Sequence, residues 1–400
     1  MTDPPQPRPP RRKPAAALPS RASPGTRDPL RRLLRASKAM SERDRRMIAA
    51  VLLSACGDAM GIPVDEHSAA AIRNRFGQAG STAPPRPGRI SAVSQLLITT
   101  IDGLIRSGVH GTDAVSEVGS AIRRWAATQR AGGERAGGEG EPATAEGLGW
   151  LAGVPQLRVR RAGVADLARR IEAFDGDPGT ASRQLALPMT AGTRPDPTAL
   201  IRGVAAGILL PAMTAQWVAA TSTRQLGGDV LSAWSAAALA HGVALACAGE
   251  PLPTALRRAV AVQPTVHPDH RRGASTIQGA VTLAERFPGS AHLCQRLARD
   301  RRGESTLSIA IYAACSAETA GPGWALWLGT NHAGASALAG AITGALLGAQ
   351  DGVAALNPRW LQRLELRFTL AQLLNDACVV CRGEAASVQG LAEAYPASPG

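Results

Sequence analysis

Residues 55–65 read Ala55-Cys56-Gly57-Asp58-Ala59-Met60-Gly61-Ile62-Pro63-Val64-Asp65. Upstream of this stretch, Val51, Leu52, Ala55, Cys56 and Met60 recur at the spacing of one helical face, which predicts an apolar helix running into the motif. Ser41, followed by Asp44 and an apolar run from Met47, reads as its capped start. Asp58 is then a residue of the helix end that holds the backbone of the motif in place. Further along, Ile90, Val93, Leu96, Leu97, Ile101, Leu104 and Ile105 also fall on one face at 3.6 residues per turn. Between Ala333 and Gln350 lies an uncharged stretch with Gly340, Gly344 and Gly348 at four-residue spacing. Small residues every fourth position suit close helix contact in lipid. Ala and Gly, however, carry little transfer free energy, so the stretch is expected to be a tightly packed core helix, with no transmembrane segment in the chain.

The chain has 400 residues, 45% of them hydrophobic, and a mean hydropathy of -0.04, which supplies a globular core. Only 13 residues are aromatic (7 Trp, 4 Phe, 2 Tyr), so a sheet-rich sandwich or barrel is disfavoured and an all-α fold is expected. Lys occurs only at Lys13 and Lys38, every other basic residue being Arg. That excludes a P-loop lysine, a kinase lysine and a pyridoxal-phosphate lysine from the bulk of the chain. The net charge of +13 is concentrated at the start: residues 1–46 hold 13 Lys and Arg against 4 Asp and Glu. Basicity is therefore a property of the tail, and nucleic acid or another anionic surface would be met there.

The organisation predicted is a disordered Pro/Arg-rich tail over 1–40, a single helical domain over 41–382 and a flexible C-terminal tail over 383–400. Inside the domain, 130–147 (RAGGERAGGEGEPATAEG) reads as a low-complexity surface loop, and 175–198 and 263–274 as connections. Cys56, Cys247, Cys294, Cys315, Cys378 and Cys381 lie in apolar stretches with no export signal ahead of them, which predicts reduced thiols and a cytoplasmic protein. Cys378-Val-Val-Cys381 lacks a second pair and reads as two small core residues. Gly147-Leu-Gly149-Trp-Leu-Ala152 matches a dinucleotide fingerprint but follows no strand. His267-Pro-Asp-His270 reads as a solvated loop, and there is no G-x-S-x-G elbow.

The opening stretch resembles the signature of the ADP-ribosylglycohydrolase family, G-D-A-x-G-x-P-x-E, with Asp65 where the family has Glu. The resemblance continues in order through Ile72 to Gly77, Gln95 to Arg106, Arg124-Trp125, Thr128-Gln129, Gly149-Trp150-Leu151 and Thr223 to Ser232. It closes on Asn331-His332-Ala333-Gly334, the glycines 340, 344 and 348, and Trp360 to Glu365, covering about Arg46 to Ala377. It implies a compact, orthogonal multi-helix bundle holding two divalent ions, usually Mg²⁺, that position ADP-ribose and a water for cleavage of a glycosidic bond. In the family one set of metal ligands comes from a Thr-Asp-Asp-Thr run, which aligns with Ser91, Ala92, Val93 and Ser94. The other comes from an Asp-x-Asp-Ser/Thr run, which aligns with Ala335, Ser336, Ala337 and Leu338. All four acids are absent. Mg²⁺ dehydrates reluctantly and is held by carboxylate charge, so no metal cofactor and no catalytic residue are expected here.

The polar and backbone groups left in the central cleft that the resemblance implies are Asp58, Ser91, Ser94, Asn331, His332, Gly334 and Ser336, which are the candidates for contacting a ligand. Asn331 and His332 can equally serve backbone groups at a helix start, and the glycines close packing. The leading expectation is a pseudoenzyme that binds ADP-ribose or an ADP-ribosylated protein. An active glycohydrolase with an atypical metal arrangement, and a scaffold working through its Arg-rich tail, are the alternatives.

Overall fold

The computed structural model describes residues 28–131, 149–157 and 195–398. Along the chain the helices are α1 (Pro29–Ala36), α2 (Glu42–Gly61), α3 (Ala69–Phe76), α4 (Ala92–His110) and α5 (Ala114–Ala131). Beyond residue 194 come α6 (Ala199–Leu209), α7 (Ala212–Gln225), α8 (Val230–Cys247), α9 (Leu252–Ala261), α10 (Pro268–Arg286), α11 (Ala291–Leu297) and α12 (Gly303–Cys315). The last are α13 (Ala317–Ala320), α14 (Pro322–Thr330), α15 (Ser336–Asp351), α16 (Pro358–Leu361), α17 (Arg367–Cys381) and α18 (Leu391–Ala394). Among the described residues there is no strand, only an isolated bridge between Gly88 and Leu364, so the fold is all-α.

Two helices that are apolar all round make the centre, α2 from Met47 to Gly61 and α15 from Ser336 to Ala349, buried along their length. Their backbones touch because glycines line the contact. A Cβ added at Gly344 would lie 2.1 Å from the Leu53 carbonyl oxygen, and one at Gly348 would lie 2.3 Å from the Ala49 carbonyl carbon. The four-residue glycine spacing is thus a helix-packing device, and α12 and α14 close over α15 from another side. On the flank, α4 carries α5, α6 and α17, and α8 packs against α6, α7 and α9. Three helical stretches are long and apolar enough to cross a membrane, Glu42–Val64, Val230–Cys247 and Ser336–Ala355, and they are 78–89% buried inside this fold. Ser41 caps α2 by accepting from the Asp44 amide, as its sequence predicts. All six thiols are free, and Cys378 and Cys381 both lie on α17.

Three boundaries differ from the sequence reading. The tail does not extend to residue 40, because Asp28 caps α1, Pro29 fills its first turn, and Leu30 and Leu33 are 4% exposed where α1 meets α17. Residues 1–27 lie outside the described residues. The C-terminal segment is not a free tail either: Leu391 and Tyr395 are buried, Tyr395 donates to Asp376 (3.0 Å), and His110 and Arg106 bond the carbonyls of Tyr395 and Pro396. A buried aromatic ring and satisfied carbonyls hold that end down. Finally, His267 is the cap of α10, not part of a loop: proline at the first helical position needs no partner for its missing N–H, so Pro268 starts the helix instead of blocking it. The low-complexity stretch 130–147 falls outside the described residues beyond Ala131, as does most of 175–198.

Candidate functional site

The end of α2 organises the site. Asp58 is fully buried, and its carboxylate accepts from the Ser91 amide (2.9 Å), the Ser91 hydroxyl (2.6 Å), the Ser94 amide (3.3 Å) and the Ser94 hydroxyl (2.5 Å). It thereby sits on the positive N-terminal end of α4, whose cap is Ser91. Burial raises the Asp58 carboxyl to about 6 against the opposing pull of the Ser91 and Ser94 hydrogen bonds.

One turn later, Gly61 seats α15. A Cβ there would lie 2.4 Å from the Ser336 carbonyl oxygen and 2.6 Å from the Ala337 nitrogen, so only glycine lets the first turn of α15 rest on α2. A short 3₁₀ turn, Ile62–Val64, then delivers Asp65, one oxygen of which faces the Ala337 amide at 3.4 Å. The stretches 91–94 and 335–338, far apart in sequence, therefore meet the same end of α2, one through Asp58 and one through Gly61 and Asp65. Val93, Ala335, Ala337 and Leu338 keep only 5–9% of their surface exposed, and Ser91 and Ala92 are partly exposed.

The polar candidates of 331–336 are spent on backbone groups, Asn331 on a distant segment and His332 and Ser336 on their own turn. Asn331 accepts from the Ser81 amide (2.6 Å) and donates to the Ser81 carbonyl (2.9 Å), bracketing that segment. His332 accepts the Gly334 N–H on Nδ1 (3.0 Å), so its proton is on Nε2, which donates to the Gly329 carbonyl (3.0 Å). Burial holds this imidazole down at about 4. Ser336 donates to the His332 carbonyl (2.9 Å) and is fully buried. Asn331 and His332 serve backbone groups, but those of Ser81, Gly329 and Gly334 and not the first turn of a helix.

A residue without any local sequence signal completes the site. Arg301, from the Ala298–Arg302 connection between α11 and α12, donates to the free oxygen of Asp65 (2.8 Å) and to the Gly334 carbonyl (3.1 Å). Asp102, another nearby acid of the sequence, is committed to Arg106 (2.8 Å). Gln95 accepts from the Trp125 ring nitrogen (3.3 Å) and donates to the Gln156 carbonyl (2.9 Å), tying residues 155–157 to α4.

The family model of ADP-ribosylglycohydrolase matches residues 39–387, and the chain belongs to that family. A solved structure described as an "ADP-ribosylglycohydrolase-related protein complex" is similar over 86% of this chain and 100% of that one, with a TM-score of 0.52 and 19% identity, a likeness that shows the fold. No curated protein matches.

The family implies a divalent-metal pair, and the donor set here does not fit it. A hard cation asks for several carboxylate or carbonyl oxygens. Ala92, Val93, Ala335, Ala337 and Leu338 have no side-chain oxygen, the hydroxyls of Ser91, Ser94 and Ser336 donate elsewhere, and Asp65 is paired with Arg301. Among the described residues no group of three or more His, Cys, Asp or Glu is placed to hold an ion.

Proposed function

We propose that this chain is a catalytically silent member of its family that binds ADP-ribose, or a protein carrying it, without cleaving the glycosidic bond. The observation that carries the reading is the fate of the acids. As the resemblance aligns them, four metal-ligating acids of the family stand here as Ala and Val, while Asp58 and Asp65 are spent on the starts of α4 and α15. A metal clamp supplies several kcal/mol of transition-state stabilisation, and its loss corresponds to a rate deficit of roughly a thousandfold or more. The frame around these positions is well built: glycine contacts join α2 to α15, Asn331 brackets Ser81, and His332 closes its own turn. A well-built frame without the acids supports recognition in preference to turnover. The six free thiols support a reducing, cytoplasmic setting.

Calorimetric titration with ADP-ribose, with Mg²⁺ and again with a chelator, tests the binding half of the proposal. The expected result is saturable heat with the same affinity under both conditions. Binding that needs the metal, or no binding, would overturn it.

A further inference from the structure

The Asp65 carboxylate and the Gly334 carbonyl are both hard oxygen donors, the chemistry a divalent cation would seek at this point of the fold. One guanidinium bridges them, with Nη2 of Arg301 on Asp65 at 2.8 Å and Nη1 on the Gly334 carbonyl at 3.1 Å. The second Asp65 oxygen faces the Ala337 amide, at one of the positions where the resemblance places an acid of the family. Three pieces of chain therefore meet on one ion pair: the turn after α2, the Ala298–Arg302 connection and the start of α15. The contact spans 236 residues of sequence between Asp65 and Arg301, so its closure is tertiary and not local.

We infer that Arg301 is a built-in replacement for a bound cation, a latch that ties the turn after α2 to the loop before α15 without metal. The inference rests on the metal-free reading above. Its physics is that of a planar donor fork. A guanidinium carries its charge permanently, satisfies two oxygens in fixed geometry and needs no shell of six ligands. It can therefore do with one carboxylate and one carbonyl what Mg²⁺ would need several acids to do. The Arg301 side chain is 43% exposed and that of Asp65 25% exposed, so the latch lies at the surface, where its opening need not unfold the core.

Hydrogen exchange at the Ala337 amide, which faces Asp65, reads the latch directly. Arg301→Met keeps the length of the stem and removes the fork, and the exchange of that amide should accelerate about tenfold, with little change at amides in the middle of α2. Arg301→Lys keeps a charge for Asp65 but cannot bridge to Gly334 as well, and should fall between. Combining Arg301→Met with Asp65→Asn should be no faster than the quicker of the two single variants, because both remove the same contact. In the natural protein, millimolar Mg²⁺ or Mn²⁺ should leave the rate unchanged. Unaltered exchange in Arg301→Met, or slowing of the natural protein by either metal, would overturn the latch. The proposed function fails separately: release of ADP-ribose by the natural protein would refute silence while leaving an accelerated Arg301→Met intact.

Discussion

Replacing Gly57 by alanine should lower stability, although alanine is the better helix former. In an unobstructed helix the change is favourable by about 1 kcal/mol. Here the added Cβ would lie 2.0 Å from the Gly340 carbonyl oxygen and 2.4 Å from its carbon, against an ordinary carbon-to-oxygen approach of about 3.3 Å. The obstacle is backbone, so α2 and α15 must separate by about 1 Å locally. That opens the neighbouring contacts as well, since Gly61, Gly344 and Gly348 hold the same pair of helices together. Overpacking of this kind costs about 3 kcal/mol at the upper end of its usual range, leaving a net loss of about 2 kcal/mol after the gain in propensity. For a domain of this size the melting temperature should fall by about 3 °C. Gly279, in the exposed middle of α10, is the control: a Cβ there meets nothing within 4 Å, so Gly279→Ala should stabilise by a few tenths of a kcal/mol or more. Denaturant unfolding followed by helical circular dichroism measures both. If Gly57→Ala is as stable as Gly279→Ala, the backbone-on-backbone packing of α2 with α15 is wrong.

Asp58→Asn should change how stability varies with pH. The folded carboxyl titrates near 6, above its ordinary value of 3.8, so the fold keeps a proton that the unfolded chain releases, and this contribution is present below about pH 4 and lost as pH rises through 6. At 1.36 kcal/mol per unit, the stability of the natural protein relative to the variant should decline by about 3 kcal/mol between those limits, and parallel pH curves would refute it. Deleting residues 1–40 should lower the melting temperature by several degrees, because Leu30 and Leu33 are buried and a buried Leu is worth about 2–5 kcal/mol against Ala. An unchanged melting point would mean that α1 contributes nothing to the fold.

The central helices were legible because their signals are local. A four-residue glycine spacing and a capped apolar run need only a few consecutive turns to declare themselves. Asp58 was readable as a residue that holds backbone, but the backbone it holds is the start of α4 at Ser91 and Ser94 and not its own motif, a partner that no local signal names. α1 carries equally local signals, Asp28 as cap, Pro29 at the first turn, and Leu30 and Leu33 three apart, but they are embedded in a Pro/Arg-rich composition that points to disorder. Composition averages over a window and hides one amphipathic turn of helix within it. His267-Pro268 misleads in the opposite way: proline blocks a helix interior and favours a helix start, and only the position of the helix decides which applies. Tyr395 is a single aromatic residue at the end of a small, polar segment, with no periodicity to announce its burial. Arg301 is the furthest from sequence reach, because one arginine among many gains its role only when the fold brings it to Asp65.

The most direct measurement is the release of ADP-ribose from arginine- and serine-linked ADP-ribosylated protein, with Mg²⁺ or Mn²⁺ supplied and a metal-dependent enzyme of the family run beside it. The proposed silence predicts no release above the metal-free background, a deficit of roughly a thousandfold or more against the active enzyme. Metal-dependent release by this chain, abolished by Asp65→Asn, would contradict it, because it would mean that Asp65 leaves Arg301 to hold a catalytic ion.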